Sequence, residues 1–158
     1  MTITSSGHSR LAVTATALVL AASALTGCAE LESRTTQVSN AVNSAKEEIN
    51  SLKSQGEQLL GEAKKFTAVS QEAVTAATTK ANEAAAAART ALDTLSDKKA
   101  DAQASADDAR AQLETAKAEL EKLTSKLSGD ELAAIEAERD KIMSGIDALV
   151  KDLEAAAK

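Results

Sequence analysis

The chain holds one cysteine and one histidine, the side chains most often used as nucleophile, general base or transition-metal ligand, and both fall within its first 28 residues. His8 sits in a polar start, MTITSSGHSR, that ends in one positive charge at Arg10. Residues 11–25, LAVTATALVLAASAL, carry no charge, and Leu25-Thr26-Gly27-Cys28 closes the segment. A polar, weakly basic start, an apolar run and small residues before a cut make up the order of a secretory signal. The run is shorter than the roughly 20 residues of a permanent membrane helix. The expectation is that residues 1–27 are removed, His8 with them, and that Cys28 becomes the first residue of the mature chain. An uncleaved helix with an ordinary apolar cysteine is the alternative.

Leu25, Thr26, Gly27 and Cys28 resemble the lipobox of bacterial lipoprotein precursors. Small residues let the extended chain enter a narrow peptidase groove. The thiol is the nucleophile that takes up a diacylglyceryl group. The resemblance implies cleavage between Gly27 and Cys28 and acylation of Cys28, with residues 28–30 as the lipidated N-terminus. Two or three acyl chains anchor firmly where one is marginal. The implied location is extracytoplasmic, on the outer face of a plasma membrane or on an outer membrane.

Little other chemistry remains. A mature chain without histidine lacks Ser–His and Cys–His catalysis and metal sites of the His/Cys type. A lone cysteine makes no intramolecular disulfide. The adjacent acids Glu47-Glu48 and Asp107-Asp108 point in different directions on a helix and cannot converge on a cation alone. No glycine-rich phosphate loop is present. The expectation is a non-enzymatic protein whose only attached group is the acyl lipid on Cys28. Arg10 is the one basic residue before Cys28 and no acid precedes it, so 17 basic and 24 acidic side chains follow, a net of −7. That balance repels a phosphate backbone and excludes nucleic acid as a partner.

The elements that carry this chemistry are read from composition and spacing. The chain has no proline, tryptophan or tyrosine and one phenylalanine, Phe66, and much of its apolar content is alanine. Alanine favours helix but buries little area. From Leu31 apolar residues recur at Val38, Val42, Ile49, Leu52, Leu59, Ala63 and Phe66, a heptad seam with Thr35 and Gly56 among its a positions. Gly56 and Gly61 read either as tolerated surface defects or as a flexible joint. The seam slips by one residue near 77–85. It then runs through Ala81, Ala85, Ala88, Leu92, Leu95, Ala102, Ala106, Ala109, Leu113, Ala116, Leu120, Leu123 and Leu127, with Lys99 on an a position. Gly129 suits a helix C′ position, and Ser128 with Glu131 forms a capping box. A second stripe follows at Leu132, Ile135, Ile142, Ile146, Leu149 and Leu153. The fold class expected is all-α: one alanine-rich, coiled-coil-like helix over 31–127, a turn at 128–130, and a shorter amphipathic helix over 131–158. The long helix would be a rod of about 150 Å. The second helix folds back on residues 113–127 as an αα-hairpin, or continues past a kink.

This pattern resembles the alanine-zipper and murein lipoproteins of bacterial outer membranes. The shared features are LTGC at 25–28, a short polar start, an Ala-rich heptad helix, closest in texture at KANEAAAAARTALDTL (80–95), and a final lysine. The resemblance implies helical self-association and, in some members, attachment to peptidoglycan through the C-terminal lysine, which here is Lys158. The chain departs from the family in its greater length and in carrying Ala155, Ala156 and Ala157 where an arginine usually adjoins the lysine. The functional expectation is a lipid-anchored helical spacer or tether of the cell envelope. The competing expectation is a surface lipoprotein, of phage-exclusion or adaptor type, that binds a partner protein through the stripe Leu132–Leu153.

Overall fold

A computed structural model of the chain describes residues 28–157, with side chains described from Thr35 onward. The fold is all-α, with four helices and no strand among the described residues. They are α1 (Cys28–Ala63), α2 (Ala68–Ser96), α3 (Ala102–Lys126) and α4 (Gly129–Ala156). Residues 1–27, expected to form a signal, and Lys158 lie outside the described residues.

The helices pack as an up-down-up-down bundle. Gly56 of α1 lies against Thr78 of α2, and Ala45, Lys46 and Ile49 line one groove with Arg89, Leu92 and Asp93, so α1 and α2 are antiparallel. Gly145 of α4 lies against Leu52 of α1, and Asp152 lies beside Ser44, which sets α4 antiparallel to α1. Arg110–Glu154 at 2.9 Å and Lys117–Asp147 at 2.7 Å join α3 to an antiparallel α4. Each helix therefore touches its two neighbours around the bundle, and α2 also meets α4 across the diagonal.

The expected rod over 31–127 is corrected by this arrangement: three helices occupy that stretch, broken at 64–67 and 97–101. The first break is closed by Thr67, whose side chain accepts a hydrogen bond from the Ser70 N–H and caps α2. Half-buried Phe66 packs against the core beside it. The second break is a Schellman-type end. The Lys99 N–H donates to the Thr94 carbonyl at 3.2 Å and the Lys98 N–H to the Leu95 carbonyl at 3.1 Å. Lys98 takes the left-handed conformation that this ending needs, φ 51. Gly56 and Gly61 are not joints, since both lie inside unbroken α1. Gly129 has no positive φ and opens α4 instead of ending α3, with Ser128 as the N-cap of the expected capping box.

The core divides by residue size. Ala77, Ala81, Ala84, Ala85, Ala88 and Ala91 of α2 and Ala102, Ala106, Ala109 and Ala116 of α3 are buried. Leu52 and Leu59 of α1, Leu113, Leu120 and Leu123 of α3, and Ile135, Ile142, Ile146, Leu149 and Leu153 of α4 supply most of the large buried side chains. Burying each of these contributes roughly 1.5–3 kcal/mol, against about 0.8 kcal/mol for an alanine methyl.

Two outcomes are expected. The longest helix has 36 residues, so small-angle scattering of residues 28–158 should give a maximum dimension near 55–60 Å; a value near 150 Å would restore the rod. Replacing Lys98 with glycine relieves the left-handed Cβ clash and should raise stability to denaturant by roughly 0.5–1 kcal/mol; a loss would show that Lys98 is not held in that conformation.

Candidate functional site

The sequence Leu25-Thr26-Gly27-Cys28, expected to direct lipidation, stands at the edge of the described residues. Leu25, Thr26 and Gly27 lie outside them, and Cys28 is the first residue described, already helical within α1. The backbone therefore passes from the expected acyl-cysteine directly into helix.

The stripe expected to recruit a partner is turned inward. Ile135, Ile146, Leu149 and Leu153 are fully buried, Ile142 is 1 % exposed, and Leu132 is half-buried. Most of what covers it comes from α1, with α3 and α2 completing the enclosure. Residues 113–127 are one wall of that enclosure. A partner at the folded bundle meets polar helix faces, and Val69 is the exposed large apolar side chain among the described residues.

The densest polar constellation is at the end where two loops meet, and it was not read from the sequence beyond its capping box. Glu131, in the first turn of α4, accepts from the Ser128 N–H at 3.0 Å and the Ser128 hydroxyl at 3.0 Å. It also accepts from the Thr67 N–H at 3.2 Å and from the buried Ser70 hydroxyl at 2.9 Å. One carboxylate thus holds the N-caps of both α2 and α4, where the positive ends of two helix dipoles converge. The backbone N–H groups of Ser128 and Thr67, with the two serine hydroxyls, lower its pKa to about 2. This is a structural clamp, since every group that meets the carboxylate is already its partner.

The remaining polar groups do not converge. Arg139 of α4 is buried and donates through Nε and Nη2 to a single oxygen of Asp140, at 3.0 and 2.7 Å. Thr78 is buried because its methyl fills the space left by Gly56, where an added Cβ would come within 2.9 Å. Burial raises the pKa of Asp152, and the Ser44 hydroxyl opposes the shift. The hydrogen bond to Asp147 raises the pKa of Lys117 at the α3–α4 seam. Lys80, Glu83, Ala111, Gln112 and Thr115 line an open groove of about 270 Å³ between α2 and α3, where the Lys80 ammonium is paired with Glu83 at 2.9 Å. Among the described residues no group of three or more His, Cys, Asp or Glu side chains is placed to hold a metal ion. None of their helices is long and apolar enough to cross a membrane.

The chain matches no protein-family model, no curated protein and no solved structure.

The clamp sets a pH dependence. A carboxylate whose pKa falls from the ordinary 4.5 to about 2 on folding stabilises fully above 4.5, and that stabilisation is lost as pH falls toward 2. Glu131→Ala should therefore lower the melting temperature by a constant amount above pH 5, and the gap to the parent should close between pH 4.5 and 2. A gap that stayed constant through that window would show that the ionised carboxylate is not what joins the two loops.

Proposed function

We propose that this chain is a non-enzymatic, lipid-anchored protein of a bacterial cell envelope, held extracytoplasmically by acyl chains on Cys28 and acting as a compact helical spacer. The observation that carries the reading is Leu25-Thr26-Gly27-Cys28 at the end of an uncharged apolar run. A secretory signal delivers the chain across the membrane, and cleavage before Cys28 leaves the modified residue as the anchor. The bundle offers an acidic, polar exterior beyond it, with its apolar stripes spent on one another.

As a spacer its reach is set by α1, whose 36 residues span about 54 Å. The working arrangement is one block of four helices fixed to a bilayer at one end.

Inhibition of the lipoprotein signal peptidase by a globomycin-type compound should leave a larger precursor. Mass spectrometry of the untreated protein should find the lipid on Cys28. Cys28→Ser should abolish both the lipid and the vesicle association. A mature protein that stays at the membrane with an unmodified Cys28 would overturn the reading.

A further inference from the structure

We propose that the α2–α3 loop is a processing site: an endopeptidase that accepts lysine cuts the folded chain after Lys98 or Lys99 and leaves a two-chain bundle that stays assembled. The proposal stands apart from the lipid anchor. The argument begins with a repeated dipeptide. Lys-Lys occurs as Lys64-Lys65 between α1 and α2 and as Lys98-Lys99 between α2 and α3. A lysine-specific enzyme meets the same two side chains in both loops, so the structure around each decides which is cut.

An endopeptidase needs the chain extended in its groove, so a cut follows local opening of the turn. At the clamp end that opening breaks long-range ties. It parts the Glu131 carboxylate from the Thr67 N–H at 3.2 Å and from the Ser70 hydroxyl at 2.9 Å. It also lifts half-buried Phe66 from the core and breaks the Lys65–Glu62 pair at 2.8 Å. The same carboxylate accepts from the Ser128 N–H at 3.0 Å, which ties down the α3–α4 connection beside Lys126. Hydrogen bonds to an ionised carboxylate are among the stronger ones.

The α2–α3 loop is held locally instead. Six successive residues, Ser96 to Asp101, are exposed. The backbone hydrogen bonds that shape the loop run between Asp93 and Ser105. Lys99 pairs with Asp97 at 3.1 Å, both more than half exposed, where an ion pair holds little. Lys98 has φ 51, so extending the chain relieves its Cβ clash. Exposed loop tips of small and polar residues are where nicking concentrates.

Hydrolysis adds one water across the amide that follows Lys98 or Lys99. The C–N bond breaks, the carbonyl carbon takes the water oxygen and becomes a carboxylate, and the freed nitrogen becomes an ammonium. One product carries α1 and α2, the other α3 and α4. The two most extensive interfaces, α2–α3 and α1–α4, both run between the products. The clamp also joins them, since Thr67 and Ser70 lie on one and Glu131 on the other. The cut therefore removes a covalent link and leaves the packing in place.

Trypsin at a low enzyme ratio on the natively folded protein, with fragments identified by mass, reads the first cut within residues 35–157. The intact chain should be lost to one pair of fragments that meet after Lys98 or Lys99. The pair should co-elute in gel filtration at the volume of the intact protein. Its melting temperature should now rise with protein concentration, as a two-chain assembly requires. Subtilisin, which does not need lysine, should open the same segment. Lys98→Gln with Lys99→Gln should slow loss of the intact chain to trypsin but not to subtilisin. Glu131→Ala should add cuts at Lys64, Lys65 or Lys126. A first cut of the parent chain at 62–67, at 126–128 or within a helix overturns the site. Fragments that elute apart overturn the assembled two-chain form, and a Glu131→Ala pattern identical to the parent's overturns the shielding by the clamp.

Discussion

Two helices faced with alanine can bring their backbones closer than leucine-faced helices can, and the α2–α3 contact, the most extensive in the bundle, is built this way. The approach is rich in dispersion contacts but removes little area from water. An α2–α3 pair alone would be weakly held. The large side chains are concentrated in α1, α3 and α4, and α4 contributes an unbroken series from Ile135 to Leu153. The fold depends on setting that series against Leu52 and Leu59 while the alanine seam zips shut beside it. Gly56 and Gly145 belong to the same constraint. Each sits where a neighbouring helix comes close, against Thr78 in one case and Leu52 in the other.

Loop chemistry at the two ends of the bundle differs in a way that follows from this packing. The clamp end joins two connections that are distant in sequence, 64–67 and 127–128, and Glu131 reaches across 64 residues to the Thr67 N–H. It draws α1–α2 and α3–α4 together where the large core side chains begin. The opposite end has a single connection, the α2–α3 loop, whose polar run Asp97-Lys98-Lys99-Ala100-Asp101 offers no apolar residue larger than alanine. Its geometry comes from backbone hydrogen bonds and a strained Lys98. The interhelical ion pairs Arg110–Glu154 and Lys117–Asp147 lie between half-exposed partners and add little to stability. Their contribution is alignment of α3 with α4.

The all-α class was legible from alanine content and heptad spacing, and so were the buried faces of α3 and α4. In α3 every seam residue from Ala102 to Leu123 is buried, and in α4 only Leu132 falls short of full burial. In α1 the reading missed by a fraction of a turn: Val42 and Ile49 flank the core while Ala41 and Ala45 fill it. The helix ends were hidden because the usual punctuation is misplaced. The chain breaks at Lys98, which adopts a conformation that glycine normally marks, and continues through Gly56 and Gly61. Thr67 as an N-cap carried a signal, a threonine followed three residues later by a hydroxyl in place of the acid of a capping box. The missing acid comes from Glu131, far along the sequence, which no local pattern reveals. The expectation of lipidation at Cys28 rests on sequence alone, since Leu25, Thr26 and Gly27 precede the described residues.

A rod and a bundle built from one seam pattern ask different things of their surroundings. Along a single helix of some 97 residues, the alanine seam would stay wet unless other chains covered it, and self-association would be obligatory for stability. Folding the same seam on itself satisfies it within one chain. The stripe Ile135–Leu153, a liability if left exposed, becomes the main source of burial instead. Among the described residues the surface open to a partner is polar helix faces and loop ends, with Val69 as the exposed large apolar side chain, and on such surfaces ion pairs and hydrogen bonds decide specificity more than affinity. Contact through the stripe itself would require parting α4 from α1, and with it the loss of Leu52, Ile142, Ile146 and Leu149 from the core. The cost of exposing those four side chains, roughly 6–12 kcal/mol, is comparable to the whole stability of an ordinary domain. The geometry that makes the chain a stable block therefore makes α4 a poor docking helix.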